Sequence, residues 1–180
     1  TTAPADEAPA EVLLKEDFDP PTMSWQTDAN REIHDGGLEL RAPQARFILS
    51  GVADERFSDY AATVEAERLG GPANGRVGLV ARVQPDGRSG YLFALYNVNR
   101  YVVLRLDPNG ASELARGEVS VRSGVSTITA RCRGSQLSFD LNGAEVVTVQ
   151  DETYRSGGFG LYVDNGARAR FDNLVAVALK

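Results

Sequence analysis

The sequence predicts an all-β domain built from antiparallel sheets, arranged as a sandwich or a barrel. Three observations lead to this prediction: short runs in which apolar and polar side chains alternate, turn residues between those runs, and the lack of any stretch of eleven or more residues with helical spacing. Alternation places one face of a strand in the core and the other outside. Many short strands without helices are typical of sandwiches and barrels.

The alternation is clearest in three runs, Tyr101–Asp107, Ser126–Arg133 and Gln136–Leu141. Between runs, Gly, Asn and Asp supply the positive φ that tight turns need, and Asn142-Gly143 is the strongest hairpin signal. Residues 54–59 could form one short helical turn. The predicted strands cover residues 12–18, 38–41, 46–50, 60–68, 76–83, 91–97, 101–107, 112–117, 126–133, 136–141, 145–150, 158–163 and 169–179.

The 180 residues suit a single domain, predicted over residues 12–180. Residues 1–11 are rich in Ala, Pro and acids, which predicts a flexible tether of the kind found in exported or lipid-anchored envelope proteins. Most of the net charge of −6 lies in the first nineteen residues. A nearly neutral domain with an acidic arm argues against nucleic-acid binding, and no apolar run is long enough to cross a membrane. We therefore expect a secreted, periplasmic or envelope-attached protein, with an anchor upstream of this chain as one option.

Cysteine and histidine offer little for catalysis. The single cysteine, Cys132, lies in a strand-like run and is expected to be a buried packing residue. The single histidine, His34, stands in a Gly-rich turn context, and no serine motif is placed to pair with it.

Three longer segments carry a family resemblance. Residues 75–96 (GRVGLVARVQPDGRSGYLFALY), 137–151 (LSFDLNGAEVVTVQD) and 157–179 (GGFGLYVDNGARARFDNLVAVAL) resemble, in that order, hairpins and the final strand of bacterial laminin-G-like domains. Asp17-Phe18-Asp19 and Trp25 resemble the opening of the same domains. The resemblance implies a two-sheet antiparallel jelly-roll sandwich of the concanavalin A-like superfamily, near the 3-keto-disaccharide hydrolase-like group. That superfamily includes binding modules, adhesion domains and hydrolases, so the fold does not choose the function.

Hydrolysis is weakly supported. Ordinary glycosidases need two carboxyl groups across the scissile bond. The Glu-x-Asp-x-x-Glu strand motif of the related laminarinase-type enzymes is absent. Glu65 and Glu67 share one side of a strand and are expected to form a solvated face. We identify no catalytic residues.

Binding is easier to support from the residue pattern. If residues 76–83 and 91–97 pair, Arg82 lies beside Tyr91 near the turn, and Tyr101 and Arg105 extend that surface on the next strand. Aromatic rings stack on sugars, and guanidinium groups bind hydroxyls or carboxylates. These four residues are the predicted ligand-binding set, with core packing of the aromatics as the alternative.

The resemblance also implies a structural calcium ion between the first and last strands. Calcium prefers carboxylate and carbonyl oxygens. The positions that could converge on it are Asp17, Asp19, Gly37 and Asp172. The alternative for Asp172 is an ion pair with an arginine or a bond to a backbone turn.

Together these features predict a non-catalytic binding domain for a carbohydrate or a protein partner at the cell envelope. Two alternatives remain: a glycoside-hydrolase-like enzyme whose acids come from loops, and a structural subunit that docks into a larger complex. A cleft with two close carboxylates would favour the enzyme, and a flat apolar face would favour the docking subunit.

Overall fold

The computed structural model describes residues 10–180, without the side chains of residues 52–56. Over that range the chain forms fourteen strands, and none of its segments is a helix that could cross a membrane. The strands are β1 (Val12–Glu16), β2 (Arg31–His34), β3 (Gly37–Arg41), β4 (Phe47–Phe57), β5 (Tyr60–Gly70), β6 (Val77–Val83), β7 (Gly90–Tyr96), β8 (Arg100–Asp107), β9 (Gly110–Glu118), β10 (Val125–Arg133), β11 (Gln136–Leu141), β12 (Ala144–Gln150), β13 (Gly157–Asp164) and β14 (Arg168–Ala178).

The strands pair into two antiparallel sheets, as the sequence predicts. An eight-stranded sheet has the order β12-β11-β10-β5-β14-β3-β2, with β1 also paired to β14. A six-stranded sheet has the order β4-β13-β6-β7-β8-β9. The main core lies between them and includes Phe93, Phe139, Phe159 and Phe171. The predicted all-β sandwich is thus confirmed.

The two outer faces differ in chemistry. On the eight-stranded sheet many outward side chains are polar and bond across strands, as in the hydroxyl pair Thr63–Thr129 (2.9 Å) and the ion pair Arg131–Asp140 (2.8 Å). On the six-stranded sheet a second apolar cluster, separate from the main core, includes Val80, Leu92 and Leu104. Because alternate residues of a strand face opposite sides, this cluster lies on the outer face.

Some of the local predictions about turns, strands and buried residues are confirmed, and others are wrong. Asn142 and Gly143 have positive φ and close the β11–β12 hairpin, and Cys132 is fully buried, with burial raising its pKa to about 12. The helical turn expected at residues 54–59 is wrong, because β4 runs through Phe57 and a tight turn leads into β5 at Tyr60. His34 ends a strand, β2, that the sequence pattern missed. The first strand begins at Val12 as expected, while residues 1–9 of the predicted tether lie outside the described residues.

Candidate functional site

An open groove of about 500 Å³ crosses the outer face of the six-stranded sheet. Its lining comes from β4, β13, β7, β8 and β9 and from the segment before β6. Three of the lining residues belong to one row of paired residues that crosses the sheet from strand to strand; in order, the row is Leu49, Tyr162, Gly78, Ala94, Val102 and Arg116. We call the part of the groove that is lined by the buried residues Tyr162 and Val102 the trough.

Aromatic side chains form one wall. Phe47 on β4 stacks on Tyr162 on β13, with ring centroids 5.7 Å apart and planes 14° from parallel. The Tyr162 ring is buried beneath it, whereas Phe47 is 46% exposed. Phe47 is held in place because it pairs with Asp164 in the strand ladder and because Asn165 donates its backbone N–H to the Arg46 carbonyl (2.8 Å).

Charged and amide groups surround the trough. Asp164 accepts hydrogen bonds from the Arg76 backbone N–H (2.7 Å), the Arg76 guanidinium (3.2 Å) and the Tyr162 hydroxyl (2.9 Å). Burial and Asp164 raise the pKa of the Tyr162 hydroxyl well above its usual value. On the opposite wall Arg116 pairs with Glu113 at 2.7 Å, which raises the pKa of Arg116. The groove therefore joins an exposed aromatic ring to fixed hydrogen-bonding groups.

Three of the four predicted ligand-binding residues lie elsewhere, in what we call the interior network, at the opposite end of the same sheet. Tyr91 is buried and donates to Asp151 (2.6 Å), and Arg105 donates to the other oxygen of Asp151 (3.0 Å). Burial alone would raise the pKa of Asp151, but hydrogen bonds from Tyr91, Thr153 and Arg105 outweigh it and lower that pKa to about 2. The network bridges β7, β8 and the segment after β12.

Arg82 faces inward and does not share the outward face of Gly78 and Val80. The β6–β13 pairing shifts register beside it, and its φ of 51° turns the side chain between the sheets. The guanidinium is fully buried and donates to the carbonyls of Ser58 (2.8 Å), Gly134 (2.8 Å) and Tyr154 (2.9 Å). All of these acceptors belong to the fold, so Arg82 supports the structure at this end.

Tyr101, the fourth predicted residue, packs on the core instead of joining the others. Its ring meets the edge of Phe139 at 6.1 Å, and a side chain at Gly117 would come within 2.7 Å of the ring. The structure thus brings Arg82, Tyr91 and Arg105 into one network but gives them no shared open face. A binding role for the four residues stays a prediction.

The predicted calcium ligands are divided between two places. Asp17 and Asp19 follow β1, and Asp19 lies against Gly36, next to Gly37 at the start of β3. Asp172 lies outward on β14, where it faces Glu65 of β5 in a polar hollow. In the described part of the chain, no three His, Cys, Asp or Glu residues are grouped to hold a metal ion. Calcium stays a prediction.

A buried carboxylate orders the loop after β1. Glu16 accepts from the backbone N–H groups of Phe18 (2.8 Å) and Met23 (3.0 Å) and from the Trp25 indole N–H (3.0 Å). Trp25 in turn packs on Phe18 at 5.1 Å. Trp25 is therefore a partly buried packing residue beside the main core.

None of the groove residues is among the four predicted ligand-binding residues. On β7 the predicted residue is Tyr91, which lies on the inward face with Phe93 and Leu95, whereas Tyr96 belongs to the alternate, outward set. An available signal was the uninterrupted apolar run of residues 91–96, since a strand that is apolar on both sides has two covered or sheltered faces. The same holds for β6, all of whose residues are buried.

Sequence comparisons find no matching family model, and no curated protein is detectably similar. Solved structures do match. Carbohydrate binding module CBM66 from Bacillus subtilis has a TM-score of 0.74 and 22% identity, covering 86% of this chain and 95% of the module. A galectin-like protein of unknown function from the same organism has a TM-score of 0.72 and 14% identity, covering 95% and 98%.

A larger protein, a GH43 protein from Bacillus licheniformis, matches with a TM-score of 0.71 and 15% identity over 92% of this chain, which spans 39% of that protein. These similarities do not show that the chain belongs to the laminin-G-like or 3-keto-disaccharide hydrolase-like group, and membership in that group stays a prediction. What they establish is the architecture: the chain has the lectin-like β-sandwich fold that these proteins share.

Proposed function

We propose that this domain binds a carbohydrate in the groove on the outer face of the six-stranded sheet, without catalysing a reaction. The observation that carries the proposal is the partly exposed Phe47 ring, which stacks on Tyr162 at the edge of the open trough. The apolar face of a sugar ring packs on such an aromatic surface. Arg76 and Arg116 flank the trough and supply hydrogen-bond donors for sugar hydroxyls.

The structural similarities support the same proposal. One similar structure is named as a carbohydrate binding module, and this chain spans nearly all of it. The GH43 protein contains a region of this fold within a longer chain.

The acids of the groove favour binding over hydrolysis. A general acid for glycoside cleavage is typically a carboxyl group kept in apolar surroundings. Here Glu113 is paired with Arg116, and Asp164 is engaged by Arg76 and Tyr162. Both carboxylates are therefore committed to holding the arginines that line the groove.

We also propose that the protein works outside the cytoplasm, secreted or attached to the envelope. The support is the Ala-, Pro- and acid-rich composition of residues 1–11, which suits a tether. A tethered domain of this kind would hold its partner, a glycan, near the cell surface.

A glycan array followed by calorimetric titration tests the groove. We expect at least one glycan to bind, and Phe47→Ala to weaken that binding roughly 10- to 100-fold, because the stacking surface is lost. The matched control is Val125→Ala, which removes an exposed apolar side chain from the eight-stranded sheet and should leave affinity unchanged. Absence of any bound glycan, or equal affinity for Phe47→Ala and the wild type, would contradict the proposal.

A further inference from the structure

A second cavity opens between the two sheets, at the end of the sandwich next to the groove. Its volume is about 640 Å³, within the range of small-molecule sites. Its inner wall combines buried apolar side chains of both sheets, Ala66 and Ile128 on one side and Val77 on the other. Tyr96 borders this cavity and the groove, so the two are neighbours but have different linings.

The turn between β7 and β8 gives an independent reason to regard this cavity as functional. Val98 lines the cavity, is 75% exposed, and has a φ of 65°. A β-branched residue with a left-handed backbone conformation is strained. Its exposed apolar side chain also stays in contact with water, so it contributes no burial energy to folding. Asparagine would suit the position better in the free protein. Contact with an apolar ligand would offset both costs.

The cavity mouth is positively charged. Arg68 lines it and donates only to the backbone carbonyls of Pro72 and Gly75, and neither Arg68 nor Arg122 forms an ion pair with a described carboxylate. Partial burial lowers the pKa of Arg68, a cost that an anion at the mouth would offset. Charge and lining together specify a ligand with an apolar body and an anionic head.

We propose that this cavity binds the aliphatic chain of a carboxylate amphiphile, with the carboxylate between Arg68 and Arg122. This site is separate from the carbohydrate groove. Its ligand would bind whether or not a glycan does, so the failure of one proposal leaves the other standing.

Calorimetric titration with decanoate, below its micelle concentration, tests the proposal, alongside methyl NMR of Val77, Val98 and Ile128. We expect saturable binding with shifts of these methyl groups. Decanol should bind more weakly and decyltrimethylammonium more weakly still, because the mouth is cationic. Equal binding of all three, or shifts confined to other parts of the protein, would overturn the proposal.

Two variants separate binding from folding. Val98→Asn relieves the strained backbone, so the melting temperature should stay the same or rise, while decanoate binding weakens about fivefold from lost apolar contact. Arg122→Gln should weaken decanoate binding about two- to fivefold and leave decanol unaffected. Arg133→Gln, at the other end of β10, is the charge control and should change neither. If Val98→Asn is less stable and binds decanoate as tightly as the wild type, the proposal fails.

Discussion

Two groups of arginines and aromatic residues lie at opposite ends of the six-stranded sheet, and their surroundings differ. In the interior network, Arg82, Tyr91 and Arg105 have their hydrogen bonds taken up by carbonyls and carboxylates of the fold. In the groove, Arg116 and the Phe47 ring face an open trough. The comparison teaches that residue type alone does not distinguish side chains that hold the fold together from side chains that line an open groove. The face of the sheet on which the side chain lies makes that distinction.

A single local feature sets the side for Arg82. In an uninterrupted strand it would follow Gly78 and Val80 to the outer face. The register shift and its positive φ reverse that direction. Tyr60 helps to fix the reversed backbone, because its hydroxyl accepts from the Arg82 N–H (2.7 Å) and donates to the Gly158 carbonyl (2.8 Å).

The largest expected effect falls on the interior network. Arg82→Met should lower the free energy of unfolding by about 3–5 kcal/mol, because the fully buried guanidinium and its hydrogen bonds to three backbone carbonyls are lost. Urea denaturation measures this. Arg88→Met, in the β6–β7 turn, is the control and should stay within about 0.5 kcal/mol of the wild type. Glycan affinity of folded Arg82→Met should equal that of the wild type; a small stability loss with a large affinity loss would reverse the assignment of the two ends.

A smaller effect appears as pH dependence. The folded-state pKa of Asp151 lies near 2, below the ordinary value of ~3.9, so its stabilising contribution is present above the ordinary pKa and is lost as pH falls toward 2. Asp151→Asn should remove that part of the acid dependence of the unfolding free energy. Glu152→Gln, which breaks an exposed pair with Arg155, should not. Parallel pH profiles for Asp151→Asn and the wild type would show that the network is not held by this carboxylate.

The smallest change in stability belongs to the groove. Arg116→Ala should leave the free energy of unfolding within about 0.5 kcal/mol and weaken glycan binding about two- to tenfold, because a solvent-exposed ion pair contributes little to folding. Calorimetry and urea denaturation on the same preparation measure both. If Arg116→Ala lowered the free energy of unfolding as much as Arg82→Met does, the groove and the interior network would not differ in their contribution to folding.

Much of the architecture follows from the sequence, because alternation and turn residues are local signals. The β11–β12 hairpin at Asn142-Gly143 and the alternating faces of β10 are examples. The strand β2 was missed because it has four residues with little alternation. The apolar run of residues 91–96 indicates a second sheltered face, but the position of the groove on that face depends on the pairing register of several strands, which local pattern does not give. The direction of Arg82 depends on a bulge that alternation alone does not reveal.

NMR chemical-shift mapping tests the central claim most directly. The ¹⁵N-labelled domain would be titrated with the glycan that binds best on the array. The account predicts that backbone amides of Phe47, Tyr96 and Arg116 shift on saturation, while those of Arg82 and Tyr91 stay unchanged. Shifts concentrated at Arg82 and Tyr91, with the groove unaffected, would contradict it.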